Sequence, residues 1–500
     1  MVYTPFFPEL RAQLAALGQR TVQGLRQLDF LPLAEKLRQL LPPQLLASED
    51  EGLNSRDNVY SLRLTFECFV WQMLKPKTSC REVVRAVQGL FKSLGLGSID
   101  DDNSGYVQAR QRLPIERLEK ALVITAQTAD QRVQGQGQIN GRPVKVVDCS
   151  TTQLPDTAKN QERYPQSSTQ KPGCGFPLMK FLVLFSLSSG AILKVVMGHW
   201  KNHDLRLLQR VREWFCQDDI ILGDRAFGDY VTLVFFPQQG VDVVARLSRT
   251  RKVDFRRAKK RLSHQDALFE WRRGAQPSKV LSQDQWQKLP EKATVRVIRF
   301  HAIIRGRKQR VSLVTTLLDP VAYPAKQLIA LYARRWDLEL ALRHVKTTMG
   351  MEHLRCKTPD MAEKEVLAYL VAYNLVRCLM AEAVALAGVA MERVSFKGTV
   401  DAVRQYTTAI AGARNKRMRQ ELWDDLVATI IRDLIPLRPG RREPRAVKRR
   451  PKPYPLLNKP RDQYKETPHR GRYRKNKTLK KSPPQQNLWV HSGSGKRPRL

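Results

Sequence analysis

The spacing of hydrophobic residues divides the chain into a helical first part and a second part that is rich in strands. From Pro8 to about Val133 apolar residues recur every three or four positions, as in EKLRQLLPPQLL and IERLEKALVITAQTA, which is typical of amphipathic helices. The stretch that follows, DQRVQGQGQINGRP, is mostly polar and contains three glycines. The pattern therefore predicts a helical N-terminal domain over residues 1–135.

Strands dominate the next part of the chain. Three successive segments are β-branched and apolar over lengths typical of buried strands: VKVVDCSTTQL, FPLMKFLVLFSLS and AILKVVMGHW. A helix is predicted at HDLRLLQRVREWF, and two further short strands are predicted at DIILGDRA and VDVVARLS. Because the strands come both in succession and in alternation with helices, we predict an α/β fold whose sheet has mixed strand directions.

A second β region is predicted over residues 249–316. It begins with a basic stretch, RTRKVDFRRAKKR, and continues with two β-like runs around the turn RGRK. From Pro324 the helical spacing returns through AKQLIALYARRWDLELALRHVKTTMG and EKEVLAYLVAYNLVRCLMAEAVALA. We interpret residues 136–435 as one α/β domain that carries residues 249–316 as a β insertion.

Charge adds a class of partner to this picture. The chain has 87 Lys and Arg against 47 Asp and Glu, a formal net charge of +40, which favours a polyanion such as nucleic acid. A basic protein that merely stays soluble or touches anionic membranes would have the same charge. The last 60 residues contain 20 Lys or Arg, 3 acidic residues and 9 Pro, so we predict a disordered basic tail over residues 436–500. Such a tail either contacts phosphates or only aids solubility.

Cysteine and hydropathy patterns exclude several other classes. The seven cysteines have no close pair, so neither a zinc ribbon nor a disulfide framework is indicated. The most apolar window, 176–197, contains two Lys and a Ser-Ser-Gly turn, which favours a β-hairpin over a membrane span. The N-terminus lacks the pattern of a signal peptide. We expect a cytoplasmic, nucleoid-associated protein with reduced thiols and no membrane contact.

Two carboxylates stand out because they interrupt apolar strands. Asp148 lies inside VKVVDCSTT, and Asp224 lies at the end of the short strand in DIILGDRAFGDY. Burying a carboxylate there costs hydration free energy, and a nearby cation offsets that cost. Each position therefore predicts either a salt bridge or a metal ion. Arg225 is the obvious salt-bridge partner for Asp224.

Four polar side chains share one face of the helix predicted after Pro324. On a wheel of about 100° per residue they fall within about 60° of arc: Tyr332, Arg335, Glu339 and Lys346. Asp337 falls at about 140° from Tyr332, so the wheel favours Glu339 as the third carboxylate. Such a face can ligate a metal, hold phosphate oxygens and stack on a displaced base. A solvated helix face with incidental ion pairs is the alternative.

Carboxylates from three separate elements suit Mg²⁺, or Mn²⁺, which both prefer oxygen ligands. Two such ions clamp the attacking and leaving oxygens of an in-line displacement at phosphorus. The same site then serves attack by water and attack by a DNA 3′-hydroxyl. No side-chain nucleophile is required.

These residues resemble a known family, the DDE transposases of bacterial insertion sequences. They match the insertion-sequence-four-like branch, which is marked by Tyr, two residues, Arg, three residues, Glu, six residues and Lys. That is the spacing of Tyr332, Arg335, Glu339 and Lys346. With VVDCSTTQL, GDRAFGDY and LRCKTPDMAEKEVLAYLVAYNLVR, the resemblance spans roughly residues 60–435. It implies a ribonuclease-H-like catalytic core in which Asp148, Asp224 and Glu339 bind two metal ions.

The resemblance also implies partners. It implies cut-and-paste transposition by an oligomer of this chain on paired double-stranded DNA ends, the terminal inverted repeats, followed by joining to target DNA. NSGYVQARQRLP resembles the corresponding region of such transposases, which makes Arg110 and Arg112 candidate DNA contacts; helix-surface charge without a specific role is the alternative. In relatives an aromatic residue of the β insertion stabilises a flipped base. Trp271 and Trp286 are candidates, although buried core tryptophans are the simpler interpretation.

Two other classes of function remain as alternatives. One is a DNA-binding protein descended from a transposase that has lost cleavage; the three acids and the Tyr-Arg-Glu-Lys face are intact, which argues against it. The other is a basic RNA-binding or ribosome-associated protein, which is favoured only by the charge and the tail. It leaves the matched signature unexplained.

Overall fold

The structure is a computed structural model. It describes residues 39–47, 59–93, 98–133, 135–275, 281–304, 307–352, 354–411, 413, 415–437 and 459–464. The predictions for residues 1–38 and for nearly all of the basic tail, 436–500, lie outside these residues.

Four helices precede the sheet in the described part of the chain: α1 (Leu62–Leu74), α2 (Cys80–Ser93), α3 (Ser104–Arg112) and α4 (Ile115–Arg132). Residues of α1 to α3 form a small apolar core of their own around Phe91 and Tyr106. In contrast, α4 and the other face of α1 pack into the main core of the protein. The helices agree with the sequence pattern, whereas a separate domain that ends near residue 135 stays a prediction.

A nine-stranded sheet follows. Its strands are β1 (Val144–Gln153), β2 (Leu178–Ser186), β3 (Ile192–His199), β4 (Ile220–Gly223), β5 (Asp242–Arg246), β6 (Lys260–Ser263), β7 (Asp266–Arg272), β8 (Lys292–Ile304) and β9 (Arg307–Thr315). The order across the sheet is β3-β2-β1-β4-β5-β9-β8-β7-β6. Strands β1, β4 and β5 are parallel, and the other neighbours are antiparallel. The fold is therefore mixed α/β with one large sheet, as the pattern predicts.

The β insertion extends the same sheet, because β9 pairs with β5 from Val244↔Thr315 onward. Its strands are tied to the following loop by Arg296, which is 0% exposed. The Arg296 guanidinium donates hydrogen bonds of 2.9 and 2.5 Å to the carboxylate of Asp266. It also donates a 2.7 Å bond to the carbonyl oxygen of Tyr323.

The remaining helices are α5 (Ala158–Arg163), α6 (Asp204–Gln209), α7 (Tyr230–Phe235), α8 (Gln283–Gln287), α9 (Ala325–Ala333), α10 (Arg335–Arg343), α11 (Pro359–Ala387), α12 (Phe396–Ala411) and α13 (Lys416–Arg432). The helix predicted over HDLRLLQRVREWF is shorter than expected. It ends at Gln209 because the N–H groups of Arg210 and Val211 bond to carbonyls three residues back, and a 3₁₀ turn continues at Arg212–Trp214.

The prediction of one continuous helix through Tyr332, Glu339 and Lys346 is wrong. Helix α9 ends at Ala333, and Arg334 has a ψ of −12° while its N–H bonds to the carbonyl of Leu331 at 3.0 Å. Helix α10 begins at Arg335 and gives way to a π turn over His344–Thr348. The i→i+3 bond at Arg334 and the π turn change the angle between successive residues, which a uniform helical wheel does not represent.

Helix α11 forms the centre of the molecule. Of the described helices, it alone is long and apolar enough by length and composition to cross a membrane, yet 72% of its most apolar window is buried inside the protein. Its Asn374 amide donates to the carbonyl oxygens of Leu122 at 3.0 Å and Ile192 at 2.9 Å, and accepts from the N–H of Ile192 at 2.8 Å. Helix α11 is thus the core helix that joins α4 to the edge strand β3.

Candidate active site

Two of the predicted acids lie side by side on parallel strands. The register pairs Val146 of β1 with Leu222 of β4. Two residues further along each chain come Asp148, in the middle of β1, and Asp224, directly after β4 ends. Strand register therefore brings together two carboxylates that are 76 positions apart in the sequence.

Asp148 is held in an environment that disfavours its charge. Its side chain is 21% exposed, and its Oδ1 accepts a 2.8 Å hydrogen bond from the N–H of Cys149. The pKa of Asp148 is raised to about 6, mainly by burial and in smaller part by the negative charges of Asp224 and Glu339, against the effect of the Cys149 N–H and Arg335. The acids are thus close enough to repel one another.

Asp224 is fixed by the turn that follows it. Its Oδ1 accepts a 2.8 Å hydrogen bond from the N–H of Ala226, at the start of the 3₁₀ turn Arg225–Phe227. Although both residues are described, no ion pair joins Asp224 to Arg225, so the simple salt-bridge interpretation finds no support. Space is tight around the turn, since a Cβ atom on Gly228 would lie 2.9 Å from the carbonyl oxygen of Arg246.

Glu339 reaches the same place from α10. Arg335 donates a 2.7 Å hydrogen bond from Nη2 to Glu339 Oε1, and its Nη1 lies 3.9 Å from Oδ2 of Asp148. The guanidinium therefore stands between the two carboxylates. Asp337 instead pairs with Arg334 at 3.2 Å.

Tyr332 and Lys346 lie on neighbouring elements, Tyr332 beside Arg335 and Lys346 beside β1. The ring centroid of half-buried Tyr332 is 6.0 Å from the guanidinium carbon of Arg335, and burial raises the pKa of this tyrosine. Lys346, in the π turn, donates from Nζ to Ser150 Oγ at 3.2 Å and to the carbonyl oxygen of Thr151 at 2.9 Å. Both β1 residues come directly after the Asp148–Cys149 pair.

Sequence analysis missed Arg246, which adds to the positive charge beside the acids. Arg246 is the last residue of β5, and the residue before it pairs with Gly223 at the end of β4. Burial lowers the pKa of Arg246, and the positive charges of Arg225, Arg249 and Arg335 lower it further. The sequence feature that could have indicated Arg246 is its place at the end of the predicted strand VDVVAR, which is the next strand after the one that precedes Asp224.

The donor set fits a divalent cation. Three carboxylates approach from β1, from the end of β4 and from α10, and a bound cation would offset both the burial and the charge repulsion that raise the pKa of Asp148. Among the described residues no three acidic, imidazole or thiol side chains are already arranged to hold a metal ion. Arg335 supplies the positive charge between Asp148 and Glu339.

The structure places the other candidate residues away from this cluster. Arg110 is 7% exposed and lies against Gln72 and Cys80, so it is not the surface charge that sequence analysis assumed, whereas Arg112 is exposed. Trp271 and Trp286 are 6% and 7% exposed and belong to an apolar core. That placement matches the simpler interpretation of both tryptophans as core residues, and a flipped-base role stays a prediction.

Comparisons with known proteins add a family to this geometry. A transposase DDE domain matches residues 139–375, a range that contains all three acids. The transposase InsG of insertion sequence element IS4 from Escherichia coli (strain K12) is 27% identical over 426 residues, which cover 84% of this chain and 93% of that protein. The transposase of insertion sequence element IS421 from Escherichia coli is 34% identical over 64 residues, 13% of this chain and 17% of that protein. Among solved structures, the piggyBac transposase synaptic complex with hairpin DNA matches with a TM-score of 0.39 and 8% identity over 84% of each chain.

Proposed function

The chain belongs to the DDE transposases, in the branch of the IS4 transposase, and on that premise we propose that Asp148, Asp224 and Glu339 are its catalytic residues. As a DNA transposase of this kind it is a polynucleotidyl transferase that depends on divalent metal ions. The observation that supports the assignment is the pairing of β1 with β4 next to Asp148 and Asp224, with the Arg335 guanidinium between Asp148 and Glu339.

The three carboxylates are the ligands of two Mg²⁺ or Mn²⁺ ions in this proposal. When bound, these ions supply the positive charge that stabilises the attacking and leaving oxygens of an in-line displacement. The protein's own task is to hold the three carboxylates at fixed positions. The β1–β4 register does this for Asp148 and Asp224, and helix α10 does it for Glu339.

Cations around the acids bind the DNA backbone. Arg335 and Lys346 are within reach of the acids or of the adjoining β1 residues, and Arg246 lies at the end of the next strand. Their guanidinium and ammonium groups donate hydrogen bonds to phosphate oxygens and orient the scissile bond. The ring of Tyr332 offers a stacking surface for a displaced base.

The proposal extends to the type of fold. Strands β3-β2-β1-β4-β5, with β1, β4 and β5 parallel, form a ribonuclease-H-like core. The first acid on β1, the second after β4 and the third on a later helix is the order that the family resemblance implies. This order of strands and acids supports the assignment.

The partners in this proposal are double-stranded DNA ends and target DNA. The formal charge of +40 supports binding to a long polyanion. Cut-and-paste transposition requires two terminal inverted repeats to be brought together, so the active form is an oligomer of this chain acting on nucleoid DNA in the cytoplasm. Arg112, exposed at the end of α3, is a candidate contact to the terminal repeat.

Cleavage of a DNA duplex that carries the element's own flanking repeats tests the proposal. Wild type, Glu339→Ala and Asp337→Asn are compared in Mg²⁺ and in EDTA, and DNA binding is measured in parallel. We expect Glu339→Ala to bind DNA but not to nick it, while Asp337→Asn, altered on the same helix at a residue paired with Arg334, retains metal-dependent nicking. Tight binding by wild type with no cutting in Mg²⁺ or Mn²⁺ would favour a transposase-derived DNA-binding protein instead.

A further inference from the structure

A cavity of about 460 Å³ lies between the N-terminal helices and the segment that leads into α11. Five cationic side chains line it: Lys77, Arg81, Arg110, Arg355 and Lys357. One acidic side chain, Glu365, belongs to the same lining. The cavity therefore presents a strong excess of positive charge.

Glu365 offsets only part of this positive charge, because it is one carboxylate beside five cations. Its side chain is 3% exposed and accepts hydrogen bonds from the backbone N–H groups of Arg355, at 2.9 and 3.1 Å, and Cys356, at 3.0 Å. The carboxylate oxygens are thus hydrogen-bonded to the backbone of the loop before α11.

Arg110 forms the floor of the cavity. Its Nη2 is 3.1 Å from the Cys80 sulfur and its guanidinium carbon is 5.1 Å from the Tyr106 ring centroid, but its buried Nε has no hydrogen-bond partner. No ion pair involves Arg110 within the part of the chain that the structure describes. The charge of Glu365 offsets part of the cost of burying this cation, and an anion bound in the cavity would offset more of it.

Two long helices begin at the same cavity. Helix α2 starts at Cys80 and helix α11 starts just after Thr358, and both residues line it. Helix N-termini carry partial positive charge and attract anions. Together with the unpartnered Nε of Arg110, they indicate an anion site rather than a merely basic surface.

The loop that lines one side of the cavity is hydrogen-bonded to the strand that carries the first proposed catalytic acid and to the segment after that strand. Thr152 of β1 donates a 3.3 Å hydrogen bond to the carbonyl oxygen of Met351, and Thr157 donates a 2.8 Å bond to that of Lys357. From Asp148 to Thr152 is about 13 Å along β1, at about 3.3 Å per residue. A DNA strand spaces its phosphates about 3.4 Å apart along the duplex axis. The distance from Asp148 to Thr152 therefore corresponds to about four nucleotides of a bound duplex.

We infer that this cavity binds a backbone phosphate of the transposon-end DNA, with Lys77, Arg81 and Lys357 at its mouth and Arg110 at its floor. The inference rests on the proposed function and adds a second anchor for the same DNA. Because the lining comes from both the N-terminal helices and the loop before α11, one phosphate would hold both parts against the duplex.

A pair of matched double variants tests this inference in the full chain. Lys77→Ala with Lys357→Ala removes two exposed cations from the mouth, and Lys92→Ala with Lys120→Ala removes two exposed lysines of α2 and α4 that do not line the cavity. The probe is a fluorescent duplex of the element's terminal sequence, titrated over a range of NaCl concentrations. We expect the mouth variant to bind roughly tenfold more weakly, with a salt slope smaller by about one unit per lost contact, and the control to change much less. Equal weakening by the two double variants would overturn the inference.

Replacing single phosphates of the duplex by neutral methylphosphonates locates the contact. In wild type, a methylphosphonate at one position should weaken DNA binding strongly. The same substitution should have little further effect on binding by the mouth variant. Arg110→Lys keeps the charge but removes Nε. In this variant the same methylphosphonate should weaken DNA binding less than it does in wild type. If inorganic phosphate raises the Tm of wild type but not of the mouth variant while no duplex position is coupled, the site binds free phosphate, and the DNA assignment is wrong. The mouth variant should still nick DNA in the presence of metal when DNA is saturating. This measurement separates a failure of the phosphate site from a failure of the catalytic assignment tested with Glu339→Ala.

Discussion

Arg335 donates a 2.7 Å hydrogen bond to Glu339 and lies 3.9 Å from the carboxylate of Asp148. One guanidinium thus partly neutralises two of the carboxylates that we propose as metal ligands. A divalent cation needs the same oxygen atoms, so Arg335 and the metal compete for them. A bound metal would displace the guanidinium from the carboxylates and leave it free to contact a phosphate.

Arg335→Gln should therefore bind metal more tightly while cutting DNA less. We expect the affinity for Mn²⁺, measured by calorimetry without DNA, to rise roughly tenfold, because a competing charge is removed from partly exposed carboxylates. Arg334→Gln is the matched control, since Arg334 pairs with Asp337 and not with the site. An Arg335→Gln affinity equal to that of the control would contradict the competition.

Arg246→Gln should reduce strand cleavage without loss of metal binding. Arg246 ends the strand beside Asp224 and lies near Arg225, Arg249 and Arg335, so it adds positive charge where a phosphate must sit. We expect nicking at saturating DNA to fall roughly tenfold to a hundredfold, as for the loss of one fixed donor to a developing charge. Arg272→Gln, on an exposed position of β7, should cut at the wild-type rate. A normal rate for Arg246→Gln would remove this residue from the site.

His344 should make the protein less stable in mild acid. Burial lowers its pKa from 6.5 to about 4, helped by Arg377 and Arg343; its ring stacks on Phe396 at 4.5 Å, and its Nδ1 has no hydrogen-bond partner. The unfolded chain takes up this proton near pH 6.5 and the folded chain only near pH 4, so stability is complete above 6.5 and falls as the pH drops towards 4.

The test is Tm measured between pH 7 and pH 4. We expect the Tm of His344→Phe, which keeps an aromatic ring against Phe396, to fall less over this interval than that of wild type. His264→Phe, at an exposed turn, serves as the control and should follow wild type. Parallel curves for wild type and His344→Phe would show that another group causes the acid sensitivity.

Breaking the Arg296–Asp266 pair should destabilise the β insertion. The arginine is 0% and the aspartate 5% exposed, so Arg296→Met leaves a buried carboxylate without its partner. We expect the free energy of unfolding to fall by about 3–5 kcal/mol in denaturant titrations. The double variant Arg296→Met with Asp266→Leu should recover part of this loss. A single variant as stable as wild type would mean that water reaches Asp266.

The local sequence pattern predicts most of the described strands and helices and indicates three candidate acids, whose catalytic role stays a prediction. Apolar runs located strands β1 to β5, because a buried strand needs apolar residues whatever its neighbours are. Asp148 and Asp224 were visible because a carboxylate in such a run requires compensation. Helical spacing alone favours Glu339 over Asp337, and their angular separation is unchanged by the helix break because both residues lie within α10. The role of Glu339 stays a prediction.

Contacts between residues that are distant in the sequence could be known only from the tertiary structure. The break at Arg334 and the π turn at Lys346 depend on packing around the helix, and a local period cannot register them. Arg246 joins the site through strand pairing, and Arg110 is buried by a helix packing arrangement that its neighbours in sequence do not encode. The physical reason is that periodicity records which side of an element is buried, whereas register and packing between distant segments determine what each side chain contacts.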